Sequence, residues 1–166
     1  MGSTHPPEYL CTTKKQVKKT IAVIGADTEI GAALANRLSD DSYRLLFVQN
    51  ETVHKSQIAK NIQQKNLHAE IETVDCAKEG CWEADIIILT IPFHEIKEVV
   101  EKINEVVTQK TVVIISDEKE SSFSFNKAQE LQQLLPYSKI VTAIHNPCSP
   151  ESFIINDKEY LKQFQN

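Results

Sequence analysis

The chain contains little glycine, and no pair of its cysteines has the C-x-x-C spacing of metal and redox sites. Only four glycines occur in 166 residues, and one of them is Gly2. The four cysteines are Cys11, Cys76, Cys81 and Cys148, and no two of them have the C-x-x-C spacing of zinc and redox motifs. We therefore expect reduced thiols, as is usual in the cytoplasm, and no metal site.

Positive charge and long apolar runs are scarce as well. The chain has 18 Lys and Arg against 23 Asp and Glu, a net charge of −5, which disfavours nucleic-acid binding. No apolar stretch approaches the ~20 residues that a membrane span needs, and no signal peptide is evident. These absences predict a cytoplasmic protein that binds neither nucleic acid nor a membrane.

What the chain does contain is ordinary for a globular domain, with 41% hydrophobic residues. Residues 1–19 are polar and include Pro6-Pro7, so we expect a flexible N-terminal arm. Residues 20–166 have the length of one domain with a full core. We expect them to form a single Rossmann-like domain.

Apolar runs and helical patterns alternate along that domain. The run Ile86–Thr90 is the clearest, and it is typical of a central parallel strand buried on both faces. The alternation predicts an α/β fold, a doubly wound parallel sheet in a three-layer αβα arrangement. The predicted strands are Thr20–Ile24, Tyr43–Val48, Ala69–Val74, Ile86–Thr90, Thr111–Ile115, Lys139–Ala143 and Phe153–Ile155. The predicted helices are Glu29–Leu38, Val53–Lys65, Phe93–Val107, Asn126–Leu135 and Asp157–Phe164, with Cys76–Glu83 as a loop or short helix and Ser116–Ser124 as a polar loop.

The segment between the first strand and the first helix is typical of a dinucleotide-binding turn. Gly25 would let the chain reverse, and Gly31 would let the helix pack closely on the strand. Between them, where glycine would let the backbone approach a phosphate, the residue is Thr28. Because a β-branched residue disfavours positive φ, we expect backbone strain and steric obstruction there. Asp27 and Glu29 either oppose the phosphate charge or merely complement the helix dipole.

Three phrases of the sequence carry a family resemblance. They are Ile21–Leu38, Ala84–Phe93 (ADIIILTIPF) and the segment from Ala128 to Asn146, in matching order. Together they resemble the N-terminal Rossmann domain of the coenzyme F-420-dependent NADP oxidoreductase family, which also includes the cytosolic domain of STEAP-type metalloreductases. The resemblance extends from about Thr20 to the C-terminus.

The resemblance implies a set of cofactor-binding residues. In the family the turn has the pattern G-x-T-G-x-x-G and cradles the NADP pyrophosphate. A Ser-Arg pair after the second strand holds the 2′-phosphate, whereas this chain has Gln49-Asn50 followed by Glu51, so NADP and NAD both stay open. The implied residues are Gly25, Ala26, Asp27, Thr28, Glu29, Ile30, Gly31, Gln49, Asn50, Thr90, Ile91, Pro92, His145 and Asn146. Pro92 is equally well explained as a helix-start residue, and a lone histidine such as His145 is commonly structural.

The resemblance also implies an activity. The family transfers hydride directly between a nicotinamide and a flavin or deazaflavin acceptor, a reaction that assigns no catalytic side chain. A homodimer or a partner subunit would complete the acceptor site. Two alternatives stay open. In the first, the chain is a Rossmann module without catalysis that acts as a binding or interaction protein; Thr28 and the missing arginine favour it. In the second, it is a nucleotide domain like that of prephenate dehydrogenases, which Ser116-Asp117 and His145 resemble to some extent.

Overall fold

The computed structural model describes residues 18–39, 43–48, 57–117, 125–145 and 153–155. These ranges contain seven strands and five helices. The strands are β1 (Lys19–Ile24), β2 (Tyr43–Val48), β3 (Glu70–Val74), β4 (Ile86–Leu89), β5 (Thr111–Asp117), β6 (Lys139–His145) and β7 (Phe153–Ile155). The helices are α1 (Glu29–Leu38), α2 (Gln57–Lys65), α3 (Ala77–Glu83), α4 (Phe93–Ile103) and α5 (Phe125–Leu134).

All seven strands belong to one sheet in the order β3-β2-β1-β4-β5-β6-β7. The first six are parallel, which confirms the doubly wound α/β fold. Strand β7 pairs with β6 antiparallel, with His145 opposite Phe153. Only residues 146–152 connect these two strands, whereas a parallel crossover needs a dozen residues or more. The short connection therefore explains the reversed direction of the last strand.

The core lies on both faces of the central strand, as its sequence predicts. Every residue from Ile86 to Leu89 is buried. Alternate residues of β1 face opposite sides, so Ile21 and Val23 join the cluster under α1 and α2, while Ala22 and Ile24 join the cluster under α3, α4 and α5. None of the helices in the described ranges is long and apolar enough to cross a membrane.

Several predicted boundaries are wrong at the ends of elements. Ser116 and Asp117 belong to β5 rather than to a polar loop, because they pair with Ile144 and His145 of β6 in continuous register. Backbone pairing, not hydrophobicity, extends these two strands. Helix α4 ends at Ile103 instead of Val107, and the chain then turns. The predicted helix Asp157–Phe164 lies outside the described residues, as does the arm up to residue 17.

Candidate functional site

The turn after β1 lies at the point where the sheet changes its winding direction. Strand β1 lies between β2 and β4, and the order of the strands along the sheet reverses at this point. In open parallel sheets, ligands bind in the crevice outside the carboxyl ends of such strands. The segment from Gly25 to Gly31 opens into this crevice and leads directly into α1.

Both glycines of the turn have the roles that their positions predict. Gly25 has a φ of 91°, and a Cβ there would come within 2.7 Å of Thr90 Oγ1 and 2.8 Å of Ile91 Cγ2. A Cβ on Gly31 would overlap the carbonyl oxygen of Gly25. Strand end and helix start are thus packed so closely that neither position accepts a side chain.

Thr28 is not strained, so the prediction of an unfavourable backbone there is wrong. Its φ and ψ are −74° and 158°, ordinary extended values, and it is the N-cap of α1. The hydroxyl donates to the carbonyl oxygen of Gly25 at 2.7 Å and accepts from the N–H of Gly31 at 3.0 Å. Threonine is a favoured N-cap residue for this reason. The signal was present in the sequence, since a threonine directly before a helix start predicts a cap.

Thr90 lies beneath the turn and supports it. It follows β4, is 4% exposed, and its N–H donates to the carbonyl oxygen of Ile24 at 3.0 Å. Its hydroxyl lies 2.9 Å from that oxygen and 2.8 Å from the carbonyl oxygen of Gly25. The hydroxyl oxygens of Thr90 and Thr28 are 3.3 Å apart. The family resemblance implies a contact between Thr90 and the cofactor, whereas this hydrogen-bonded network has no signal in the sequence.

The start of α1 leaves backbone donors available. Of the first four N–H groups of a helix, none has an intrahelical partner. Here the N–H of Thr28 donates to Gly25 and that of Gly31 donates to the Thr28 hydroxyl. The N–H groups of Glu29 and Ile30, and those of Ala26 and Asp27 in the turn, have no hydrogen-bond partner within the described part of the chain. Four donors at the positive end of a helix dipole are suited to binding an anion.

Two carboxylates stand beside these donors. The side chains of Asp27 and Glu29 are exposed, and neither forms an ion pair with any residue of the described ranges. Both complement the positive end of α1. They also place negative charge next to the position where a phosphate would bind, which opposes an anionic ligand.

The remaining predicted residues are only partly assembled at this site. Ile91 is half-buried beside Gly25, and Pro92 is exposed and is the N-cap of α4, in agreement with its interpretation as a helix-start residue. His145 ends β6 on the same edge of the sheet, next to Asp117 in register. Gln49, Asn50, Glu51 and Asn146 lie outside the described residues. Within those residues, no three His, Cys, Asp or Glu side chains cluster as metal ligands.

Fold and turn define a Rossmann domain of the class found in NAD(P)-dependent oxidoreductases. Residues 20–117 match the family described as NADP oxidoreductase, coenzyme F420-dependent. This match covers more than half of the chain, and the protein belongs to that family. The resemblance predicted from the three sequence phrases is therefore confirmed.

Comparison with individual proteins gives the same class. The chain is 27% identical over 146 residues to the F420-dependent NADP reductase of Methanocaldococcus jannaschii, a match that covers 77% of this chain and 63% of that protein. It thus spans less than two thirds of the length of this relative. Two solved structures share the fold, an imine reductase from Myxococcus stipitatus in complex with NAD+ (TM-score 0.65, 14% identity, 89% of this chain and 50% of that one) and the Plasmodium falciparum pyrroline carboxylate reductase with NADP bound (TM-score 0.62, 16% identity, 89% and 53%).

Proposed function

We propose that this domain binds a nicotinamide dinucleotide, NADP or NAD, with the pyrophosphate against the N-terminus of α1. The observation that carries the proposal is the set of four backbone N–H groups, from Ala26 to Ile30, that have no partner among the described residues at the winding switch of the sheet. A pyrophosphate supplies acceptor oxygens and negative charge for such donors. Membership of an NADP oxidoreductase family supports the same ligand.

The reaction that fits this family is hydride transfer between the nicotinamide and a flavin or deazaflavin acceptor. The domain would contribute binding and orientation, since the transfer needs two rings held face to face and no protein acid or base. The name of the archaeal relative, an F420-dependent NADP reductase, supports a deazaflavin acceptor. Residues 20–166 would serve as the single nucleotide domain, and a second copy or a partner subunit would complete the acceptor site.

A second candidate function is a Rossmann module that has lost cofactor binding and acts through protein contacts. The exposed carboxylates of Asp27 and Glu29, directly beside these N–H groups, favour it. Their charge lowers the affinity of the turn for any pyrophosphate. Nucleotide affinity separates the two candidates.

Isothermal titration of the full chain with NADPH and with NADH tests the proposal. We expect binding in the micromolar range or tighter, with little preference between the two, because Gln49-Asn50 replaces the family's Ser-Arg pair. At 100 times the dissociation constant the ligand should stabilise the fold by about 2.7 kcal/mol, which a thermal shift detects. No binding of either nucleotide at millimolar concentration would contradict the proposal and leave the second candidate.

A further inference from the structure

The carbonyl oxygen of Gly25 is the most heavily contacted acceptor in the turn. It lies 3.0 Å from the N–H nitrogen of Thr28, 2.7 Å from the Thr28 hydroxyl and 2.8 Å from the Thr90 hydroxyl. Gly31 packs against the same oxygen so tightly that a Cβ would overlap it. This carbonyl is therefore enclosed by the helix start on one side and by the end of β4 on the other.

The direction of that carbonyl decides what the turn presents to a ligand. In a trans peptide the C=O and the following N–H point in opposite directions, and the described residues contain no cis peptide. With the Gly25 oxygen directed inward to the two hydroxyls, the N–H of Ala26 must point away from them. If this peptide flipped, the oxygen would take the place of the Ala26 donor and repel a phosphate.

Such a flip changes ψ of Gly25 and φ of Ala26, and a residue without Cβ leaves ψ of Gly25 less restricted. Gly25 has a φ of 91° and cannot be replaced without a clash. The N–H of Thr28 holds this peptide from the backbone, by donating to the Gly25 oxygen at 3.0 Å. The two threonine hydroxyls add side-chain contacts to the same oxygen, one from the N-cap of α1 and one from the end of β4, where the single proton of the Thr90 hydroxyl is shared between the oxygens of Gly25 and Ile24.

We propose that Thr28 and Thr90 are positioning residues for nucleotide binding, whose hydroxyls hold the Gly25–Ala26 peptide with its carbonyl inward and its N–H toward the pyrophosphate. Thr28 thus replaces the usual glycine of the turn with a hydrogen-bonding residue, and Thr90 acts from below without touching the ligand. The inference rests on the proposed nucleotide function. It assigns Thr90, which is 4% exposed, a supporting role instead of a contact with the cofactor.

The test compares substitutions that remove only the hydroxyl with substitutions that keep it. Thr90→Val removes one donor, Thr28→Val removes one donor together with the N-cap acceptor of the Gly31 N–H, and Thr90→Ser and Thr28→Ser retain both hydroxyls. Ser138→Ala is the matched control, because the Ser138 hydroxyl is also buried and donates to a carbonyl oxygen, that of Val107 at 2.7 Å, at the opposite edge of the sheet. Each protein is measured by thermal unfolding and by titration with NADPH.

We expect Thr90→Val to weaken NADPH binding at least tenfold, and the double valine variant to weaken it further. The serine variants should retain affinity within about threefold. Ser138→Ala should lower the unfolding temperature as Thr90→Val does, yet bind NADPH like the unaltered protein. The direct readout is the amide resonance of Ala26, which should shift strongly on NADPH addition in the unaltered protein and lose most of that shift in Thr90→Val.

Each result bears on one claim. If the unaltered protein binds neither NADPH nor NADH, the proposed function fails and this inference fails with it. If the unaltered protein binds and a folded Thr90→Val binds equally well, the function stands and the positioning role is wrong. If Thr90→Val does not fold, the pair Thr28→Val and Thr28→Ser decides the question by the same comparison of affinities.

Discussion

The helix ends at the two edges of the sheet differ in how fully their backbone groups are hydrogen-bonded. At the amino edge, where helices α3, α4 and α5 end, side chains donate hydrogen bonds to carbonyl oxygens at or just after the helix ends. Lys110 Nζ lies 2.7 Å from the oxygen of Cys81 and 2.6 Å from that of Trp82, at the end of α3. Ser138 donates to the oxygen of Val107 after α4, and Gln132 donates to that of Leu135 after α5.

At the carboxyl edge, where α1 begins, several backbone N–H groups have no hydrogen-bond partner among the described residues. The Thr28 and Thr90 hydroxyls satisfy only the inner side of the turn, and four N–H groups remain without partners among the described residues. Buried or half-buried backbone groups are normally paired in native proteins. The anionic ligand proposed above would supply acceptors for these four N–H groups.

The largest effect should come from filling the tight contact at the carboxyl edge. Gly31→Ala would put a Cβ onto the carbonyl oxygen of Gly25, which is backbone and cannot rotate away. We expect a loss of about 3 kcal/mol or more in the free energy of unfolding, measured in urea, and loss of nucleotide binding.

Gly80→Ala in α3 is the matched control for that substitution. A Cβ there would lie 2.9 Å from Val48 Cγ2, a side-chain methyl group rather than backbone, and the next nearest atoms are 3.8 Å away. Alanine also favours the helix by about 1 kcal/mol over glycine. We expect little net change in stability, and an equal loss for both variants would contradict the special role of the turn.

The next largest effect should come from removing a hydrogen-bond donor at the amino edge. Lys110→Met keeps the aliphatic stem and removes the ammonium that caps α3, leaving the carbonyl groups of Cys81 and Trp82 without this donor. We expect a loss of about 2 kcal/mol in unfolding free energy, since hydrogen bonds from a charged donor contribute about 1.5–3 kcal/mol. Nucleotide affinity should not change. A changed dissociation constant would mean that the two edges are coupled.

Much of this fold follows from hydrophobic patterning. Strand β2 and helix α1 have the predicted bounds, because apolar runs and a helical apolar face identify them. The extensions of β5 and β6 could not be predicted, since Ser116-Asp117 is polar and only its pairing partners make it strand. The direction of β7 depends on the length of its connection to β6. This length can be read from the sequence, but it predicts the direction only once β6 is known to be the neighbouring strand.

The position of the turn follows from the sequence, whereas the hydrogen bonds within it do not. Gly25 and Gly31 locate the turn, because each needs the space or the φ that only glycine has. The β-branch of Thr28 predicts an obstruction, whereas its hydroxyl makes this residue the N-cap of α1. The Thr90 contact joins residues 65 positions apart, a pairing that exists only after the sheet has formed.

A smaller effect should appear at alkaline pH and at the amino side of the core. Burial raises the pKa of the Cys81 thiol from 9.0 to about 12. Between these values the unfolded chain has released the proton and the folded chain still holds it, so stability falls as pH rises through this window. The slope is at most about 1.4 kcal/mol per pH unit for one proton.

Cys81→Ala should reduce this alkaline slope in urea unfolding curves measured from pH 8 upward, whereas Cys76→Ala, at an exposed cysteine, should not. The lowered pKa of Lys110, caused mainly by desolvation, acts with the opposite sign. It therefore cannot imitate the loss. An unchanged slope in Cys81→Ala would mean that the thiol is not the responsible group.

The smallest effect should come from removing negative charge at the start of α1. Asp27→Asn combined with Glu29→Gln removes two exposed carboxylates that complement the dipole of α1 and oppose a bound phosphate. The free protein should lose about 0.3–1 kcal/mol of stability, and NADPH affinity should rise by a factor of about three to ten because repulsion is relieved. Glu101→Gln, which neutralises an exposed carboxylate on α4, should change neither quantity. If the double variant gains affinity and loses stability while the control does neither, the N–H groups at the start of α1 are a binding site held below its full affinity by its own neighbours. If it gains no affinity, the two carboxylates do not oppose the bound phosphate and act only on the dipole of α1.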